Sequence, residues 1–408
     1  MAGALHTEPL VATAEFPTLA HSGAAYLDSG ATSQTPRAVL DAMASYYETS
    51  RASVHRGVYP LAAEATDRFE SARDRIAAWL GWDAPSTIFT RNATEALNLV
   101  AGTWGRANVA AGDRIVVTEM EHHSNFVPWW MLAQEKGATL ELVHVDDNGE
   151  LLLDELDEIL ARGRVKVVAV AHVSNVVGTI NPVAEIVARA RAAGAITVVD
   201  GAQAVPQIPV SLPELDADFY AWTGHKAYGP TGVGVLHGRR ELLETMPPWL
   251  GGGHMIHNVT IEKVTFAEPP ARFEAGTSAI AEAIGLGAAV DLLDGLGMEN
   301  VRAHERELVA YTLERLPEIA GLSIHGPADP DRRGALVSFS LEGIHPHDVA
   351  EILGRDGVCV RAGHHCAQPL MAQLGIGAST RASFAVHSTR EDVDRLITGL
   401  HTVREVFA

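Results

Sequence analysis

Two segments carry side chains able to do covalent chemistry. In Gly224-His225-Lys226-Ala227-Tyr228-Gly229-Pro230-Thr231-Gly232 a lysine directly follows the apolar run Phe219–Thr223. Glycines on both sides let the backbone approach a bound group closely. A lysine in a surface turn is the plain alternative, and the preceding apolar run weighs against it. In Arg361-Ala362-Gly363-His364-His365-Cys366-Ala367-Gln368-Pro369-Leu370 a cysteine stands among an arginine and two histidines. Cations close to a thiol favour the thiolate, which is the nucleophile. A metal site would need more ligands than this segment holds. The other cysteine, Cys359 in Gly-Val-Cys-Val, reads as a strand residue.

Further polar residues follow apolar runs. Asp200 ends the run Ile196–Asp200 and leads into Gly201-Ala202-Gln203; Val165–Ala171 leads into His172-Val173-Ser174-Asn175; Phe219–Thr223 leads into Gly224-His225-Lys226. One such end is an ordinary cap or turn. Three together point to a site, because ligands of open α/β sheets bind beyond the carboxyl ends of the strands. Thr90-Arg91-Asn92-Ala93-Thr94-Glu95 opens a helix near Thr94, which suits a phosphate or a simple cap. Glu121-His122-His123-Ser124-Asn125 lacks the spacing of a metal-binding helix and suits an imidazole stacked on a flat ligand. Arg381, entering the apolar run Thr380–Ala385, suits either an edge ion pair or a clamp on a carboxylate.

The elements that must position these residues are legible as periodicity. Apolar runs near Arg114–Thr118, Leu140–Val145, Val165–Ala171, Ile196–Asp200, Phe219–Thr223 and Val233–His237 alternate with helical patterns near Asn125–Glu135, Leu153–Ala161 and Val183–Ala193. This predicts an α/β fold with a mostly parallel sheet covered on both faces. After about Glu282 the pattern changes to helices Glu282–Leu296 and Val301–Leu316, strands Leu322–His325 and Leu336–Leu341, helix His347–Leu353, strands Gly357–Arg361 and Thr380–Ala385, and helix Arg390–Val406. That is the pattern of a smaller α+β domain.

A chain of 408 residues suits two domains. Its formal charge of −20 without a Lys/Arg block argues against nucleic acid or an anionic membrane as partner. Two cysteines exclude a disulfide framework and fit a reducing compartment. The segment MAGALHTEPLVATAEF has no basic leader, and no apolar run is long enough to span a membrane, so a cytoplasmic location is expected.

The segments VHRGVY, MEHHSNFVPW, HVSNVVGTINPV, VDGAQ, GHKAYGPTGVG, FEAGT and RAGHHCAQPLM occur in this order. With them the chain resembles the group II cysteine desulfurases, the SufS and selenocysteine lyase branch of the class V aminotransferase superfamily. The likeness runs from Tyr26-Leu27-Asp28 to the last helix. GHK and RAGHHCAQPLM together are highly specific, whereas RNATEALNLV alone is weak. The resemblance implies a type I fold of pyridoxal-phosphate (PLP) transferases. An N-terminal segment over residues 1–25 packs on the small domain, a large cofactor-binding domain spans 26–290, and a small domain spanning 291–408 carries the catalytic cysteine.

The resemblance also implies roles. Lys226 holds pyridoxal 5'-phosphate covalently. Asp200 pairs with the ring nitrogen, Gln203 contacts the ring hydroxyl, His123 stacks on the ring, and Asn175 lies beside cofactor and substrate. Thr94, the Ala93 amide, Thr223 and His225 hold the phosphate, joined by Thr277 of a second copy in a homodimer. Arg381 takes the substrate carboxylate, and His55 and Arg361 line the substrate pocket. Cys366 accepts sulfur from L-cysteine as a persulfide, leaving L-alanine. The sulfur then passes to a SufU- or SufE-type acceptor for iron–sulfur cluster assembly or other sulfur traffic.

No resident metal is implied, but His347 in Ile344-His345-Pro346-His347-Asp348 is a candidate transient ligand to an acceptor's zinc, or an idle helix-start histidine. The alternatives are a lyase acting on L-selenocysteine and an inactive PLP-fold assembly partner. Kynurenine hydrolysis or transamination would need no cysteine here. Departures from the family pattern fall at Ala93, Trp222, Ser278 and His254.

Overall fold

The computed structural model describes residues 8–408, so residues 1–7 of the expected N-terminal segment lie outside the described residues. A seven-stranded sheet has the order Thr87–Thr90, Gly234–Gly238, Phe219–Thr223, Ile196–Asp200, Val165–Ala171, Arg114–Thr118, Thr139–Val143. Gly234–Gly238 is antiparallel to both its neighbours, and the remaining pairs are parallel.

The strands read as unbroken apolar runs because both faces are buried. Ile115, Val117, Val167, Ala169, Val198 and Phe219 pack on one side with Leu97, Trp129 and Leu132 of helices Ala93–Val100 and His123–Lys136. Val116, Val168, Val170, Val199, Tyr220 and Trp222 pack on the other with Phe69, Ile186 and Leu286 of helices Pro60–Trp79, Val183–Ala192 and Ile280–Leu296. Alternate residues point to opposite faces, so each face finds its own helical layer.

A second sheet of four antiparallel strands has the order Leu322–His325, Leu336–Leu341, Ser379–Ser383, Arg361–Gly363. Helices Met298–Arg315, Pro346–Arg355 and Arg390–Val406 cover it through Leu308, Val349, Leu353, Leu396 and Leu400. Near the N-terminus, Val11, Phe16 and Leu19 join the core under the large sheet, whereas Ala25 and Leu27 join the core of the smaller one.

The single strand expected over Gly357–Arg361 is in fact two. Val358–Cys359 pairs in parallel with Ala25–Tyr26, and Arg361–Gly363 pairs with Ser379–Ser383. Periodicity shows the extended backbone but not the change of partner. The strand Thr87–Thr90 and the hairpin Ile256–Val259/Val264–Phe266 are short elements without a strong periodic signal.

Thr118, Ala171, Asp200 and Thr223 end parallel strands at one edge of the large sheet, the edge where α/β sheets bind ligands. Gly234 crosses that edge between Thr90 and Thr223. A Cβ on it would lie 2.5 Å from the Asn92 backbone. The glycine thus lets the segment that starts helix Ala93–Val100 settle on the sheet. Gly234→Ala is expected to cost about 1–3 kcal/mol, read as a lower urea midpoint at unchanged slope. Gly251→Ala, where a Cβ meets nothing within 4 Å, should leave the midpoint in place.

Candidate active site

A cavity of about 160 Å³ opens at this edge, between the large sheet and the smaller one. Its walls gather Lys226, Asp200, Gln203, Asn175, Ala93, Thr94, Thr223 and His225 from the large-sheet side, and Arg361, Cys366 and Arg381 from the other. His123, His55, Thr277 and His347 do not line it.

Lys226 sits in a short turn, Gly224–Lys226, immediately after strand Phe219–Thr223. The turn is clamped from the N-terminal loop: Ser33 N–H donates to His225 O at 2.8 Å, and Ser33 Oγ accepts from Tyr228 N–H at 2.7 Å. Tyr228 takes the left-handed backbone region, with φ +61, and its hydroxyl accepts from Val386 N–H at 3.1 Å. Burial pushes the Lys226 amine down to about 8, against the opposing pull of the Asp200 carboxylate; Arg381 and Arg361 push the same way as burial. Asp200 is itself raised by burial, opposed by the Ala202 N–H, which it accepts at 2.9 Å, and by Lys226.

Gln203 donates to Gly30 O at 2.7 Å and accepts from Gln207, which holds its amide against the wall. Asn92 caps helix Ala93–Val100 by accepting from Glu95 N–H, so Ala93 and Thr94 open onto the cavity. Thr94 Oγ1 meets Ser124 Oγ at 2.7 Å.

The histidine at the cavity is corrected by the structure. His122 lines the cavity, and His123 does not. His122 is the N-cap of helix His123–Lys136, and its Nδ1 accepts from Ser124 N–H at 3.1 Å. The turn therefore directs His122 inward, while His123, already in the helix, turns its ring toward the loop of Cys366, where Nε2 accepts from Gln368 N–H at 3.3 Å. Burial, then the neighbouring charge of Lys226, with Arg361 and Arg381 adding to it, pushes His122 down to about 3, so it is a neutral ring at physiological pH. Two adjacent histidines look alike in sequence, and the cap geometry decides between them.

Cys366 is half-buried. His365 and Cys366 both lie in the left-handed region, at φ +50 and +59. Such residues cost about 1–3 kcal/mol each unless their surroundings hold them. Here Asn175 Nδ2 donates to His365 O at 2.6 Å, and His123 N–H donates to Cys366 O at 2.7 Å. His365 is not a cation for the thiol: its Nε2 donates to Ser379 O, and burial pushes it down to about 3. The charges that face Cys366 are Lys226 and Arg381.

Arg361 and Arg381 are cross-strand neighbours, and Arg381 is buried. Asp28 accepts from Arg381 Nη2 at 3.2 Å, and Asn175 O accepts from Nη1 at 2.7 Å. Arg381 Nε has no partner among the described residues.

Away from the cavity, His55, His254, Thr277 and Ser278 line a separate pocket. His55 bonds Glu70 at 2.7 Å and stacks on His254 with ring centroids 4.7 Å apart. Trp222 is fully buried, and its Nε1–H donates to His237. Asp28, Gly30, Ala31, Asn92, His122 and Ser124 are site residues that motif reasoning passed over. Asp28, Asn92, His122 and Ser124 lie within segments already singled out and Gly30 and Ala31 shortly after one, and only their packing reveals them.

The family model for class V aminotransferases matches residues 25–396, and the chain belongs to this family. It is 49% identical over 417 residues to a probable cysteine desulfurase of Streptomyces coelicolor, covering 99% of each chain. It is 47% identical over 385 residues to a cysteine desulfurase of Haloferax volcanii, covering 94% of this chain and 90% of that one. The crystal structure of the Escherichia coli cysteine desulfurase CsdA in S-sulfonic acid form is 38% identical, with a TM-score of 0.90 and coverage of 97% and 98%. The apo cysteine desulfurase of Thermococcus onnurineus is 41% identical, with a TM-score of 0.91 and coverage of 96% of each chain.

Pyridoxal 5'-phosphate is the cofactor of this family, and the cavity fits it. A buried amine faces a buried carboxylate, as a covalently held cationic ring requires. The buried hydroxyl of Thr223 has no partner among the described residues, and it borders the same space as the start of helix Ala93–Val100, where an anion is favoured. A lysine amine bonds an aldehyde only when unprotonated. Capture of added cofactor by the apoprotein should therefore rise with pH to a midpoint near 8, followed as visible absorbance. A midpoint above 10 would mean that the amine is not desolvated.

Proposed function

We propose that the protein is a PLP-dependent cysteine desulfurase of the SufS type, which takes sulfur from L-cysteine onto Cys366 and releases L-alanine. The observation that carries this is one cavity shared by Lys226, Asp200, Arg381 and Cys366. A transaminase or hydrolase of the same family would need no thiol at that place.

When bound, the cofactor draws electrons from the substrate's α-carbon. The chain's residues do the rest. Arg381, whose Nε has no partner among the described residues, and Arg361 hold the substrate carboxylate. Lys226 holds the cofactor and, as a neutral amine, takes the proton from Cα. Asp200 would hold a proton on the ring nitrogen, and the neutral His122, which lines the cavity where His123 does not, would stack on the ring. Thr94, Thr223, His225 and the Ala93 amide hold the phosphate. The Cys366 thiolate attacks the substrate's sulfur; an S–S bond forms as the C–S bond breaks, and the electron pair and a proton end on the methyl carbon of alanine.

The same proposal extends to assembly. His55 and Thr277 lie together outside their own cavity, which fits a homodimer in which each copy completes the other's site. His345 and His347 are exposed, with ring centroids 5.0 Å apart, at the start of helix Pro346–Arg355, which packs on strand Arg361–Gly363 before Cys366. This placement supports His347 as the contact for a zinc-bearing sulfur acceptor that supplies iron–sulfur cluster assembly.

Cys366→Ala is expected to keep cofactor absorbance while alanine formation from L-cysteine falls to background. Alanine release at the wild-type rate would overturn the assignment; release retained only with L-selenocysteine would favour the lyase. His347→Ala should keep the basal rate and lose most of the stimulation by a SufU-type acceptor, measured as alanine per minute with and without that protein.

A further inference from the structure

His123 is left without a role once His122 occupies the cavity wall. Its surroundings assign it another. It is the first residue of helix His123–Lys136, where backbone N–H groups have no partner inside the helix. Its N–H donates to Cys366 O at 2.7 Å, and its ring Nε2 accepts from Gln368 N–H at 3.3 Å. One residue of the large-sheet side therefore grips the cysteine loop at two points just after the thiol, the Cys366 carbonyl and the Gln368 amide, while Asn175 holds it just before, at the His365 carbonyl. The loop needs such a grip, because His365 and Cys366 are non-glycine residues in the left-handed region. For Nε2 to accept, the ring must be neutral, and burial together with His364 lowers its proton affinity.

We infer that His123 is a positioning residue that holds Cys366 at the cavity by a two-point bracket on the loop immediately after the thiol. It does not line the cavity. This rests on Cys366 being the sulfur acceptor. The bracket also explains how a short loop stays strained without glycine at position 366: the start of the helix supplies the bond that an unstrained turn would make within itself.

The test is a graded series in the holoenzyme. His123→Ala keeps the backbone bond and loses the ring bond. His123→Pro loses both, and proline is tolerated at the first position of a helix. His123→Gln offers a side-chain oxygen near the place of Nε2 that can accept from Gln368 N–H. With one hydrogen bond worth about 1 kcal/mol, alanine formation should fall about fivefold in His123→Ala and about 25-fold in His123→Pro, and recover in His123→Gln. Alkylation of Cys366 by iodoacetamide, mapped by peptide mass, should quicken in the same order. KM for L-cysteine and the visible absorbance should not move, whereas His122→Ala should alter the absorbance. Unchanged turnover and alkylation in both His123→Ala and His123→Pro would overturn the bracket. So would a change of absorbance in His123→Ala equal to that of His122→Ala. Cys366→Ala retaining wild-type turnover would instead sink the assignment on which the bracket rests.

Discussion

An amine and a carboxylate buried in the same small cavity are the constraint around which this molecule is arranged. Moving either charge out of water costs several kcal/mol unless it is compensated. Lys226 and Asp200 compensate one another only because two adjacent parallel strands deliver them to the same sheet edge. The result is an amine close to neutrality and a carboxylate held apart from solvent, which is the electrical setting a cationic ring between them would complete.

The rest of the site is strain and charge held in place by neighbours. Tyr228, His365 and Cys366 occupy backbone regions that side chains avoid, and each is tied by hydrogen bonds from a distant segment. Arg361 and Arg381 face each other across two strands, a destabilising pair by itself. Asp28 and the carbonyl of Asn175 offset it, and Arg381 Nε is left without a partner among the described residues. Asn175 also holds the cysteine loop, so Arg381 and the Cys366 loop share one support.

The two sheets meet at this cavity, and neither makes it alone. The large sheet brings the lysine, the aspartate and the helix start; the smaller one brings both arginines and the thiol. The N-terminal segment ties them together, placing apolar residues in both cores and Ser33 on the lysine turn.

The sequence by itself determined the layered fold, because strands buried on both faces leave continuous apolar runs and the covering helices leave a 3.6-residue period. It also determined which residues are chemically exceptional: Lys226, Asp200 and Cys366 stand at a strand end or in turns, where side-chain type is not dictated by packing, and Arg381 is a cation in the middle of a buried strand. It could not decide between His122 and His123, since a helix cap turns adjacent side chains apart by an amount no motif records. Nor could it show that Gly357–Arg361 divides between two partners, that His365 is a neutral strut, or that His55 and Thr277 lie outside their own cavity. Those depend on contacts between segments far apart in the chain, and only the folded arrangement sets their distances.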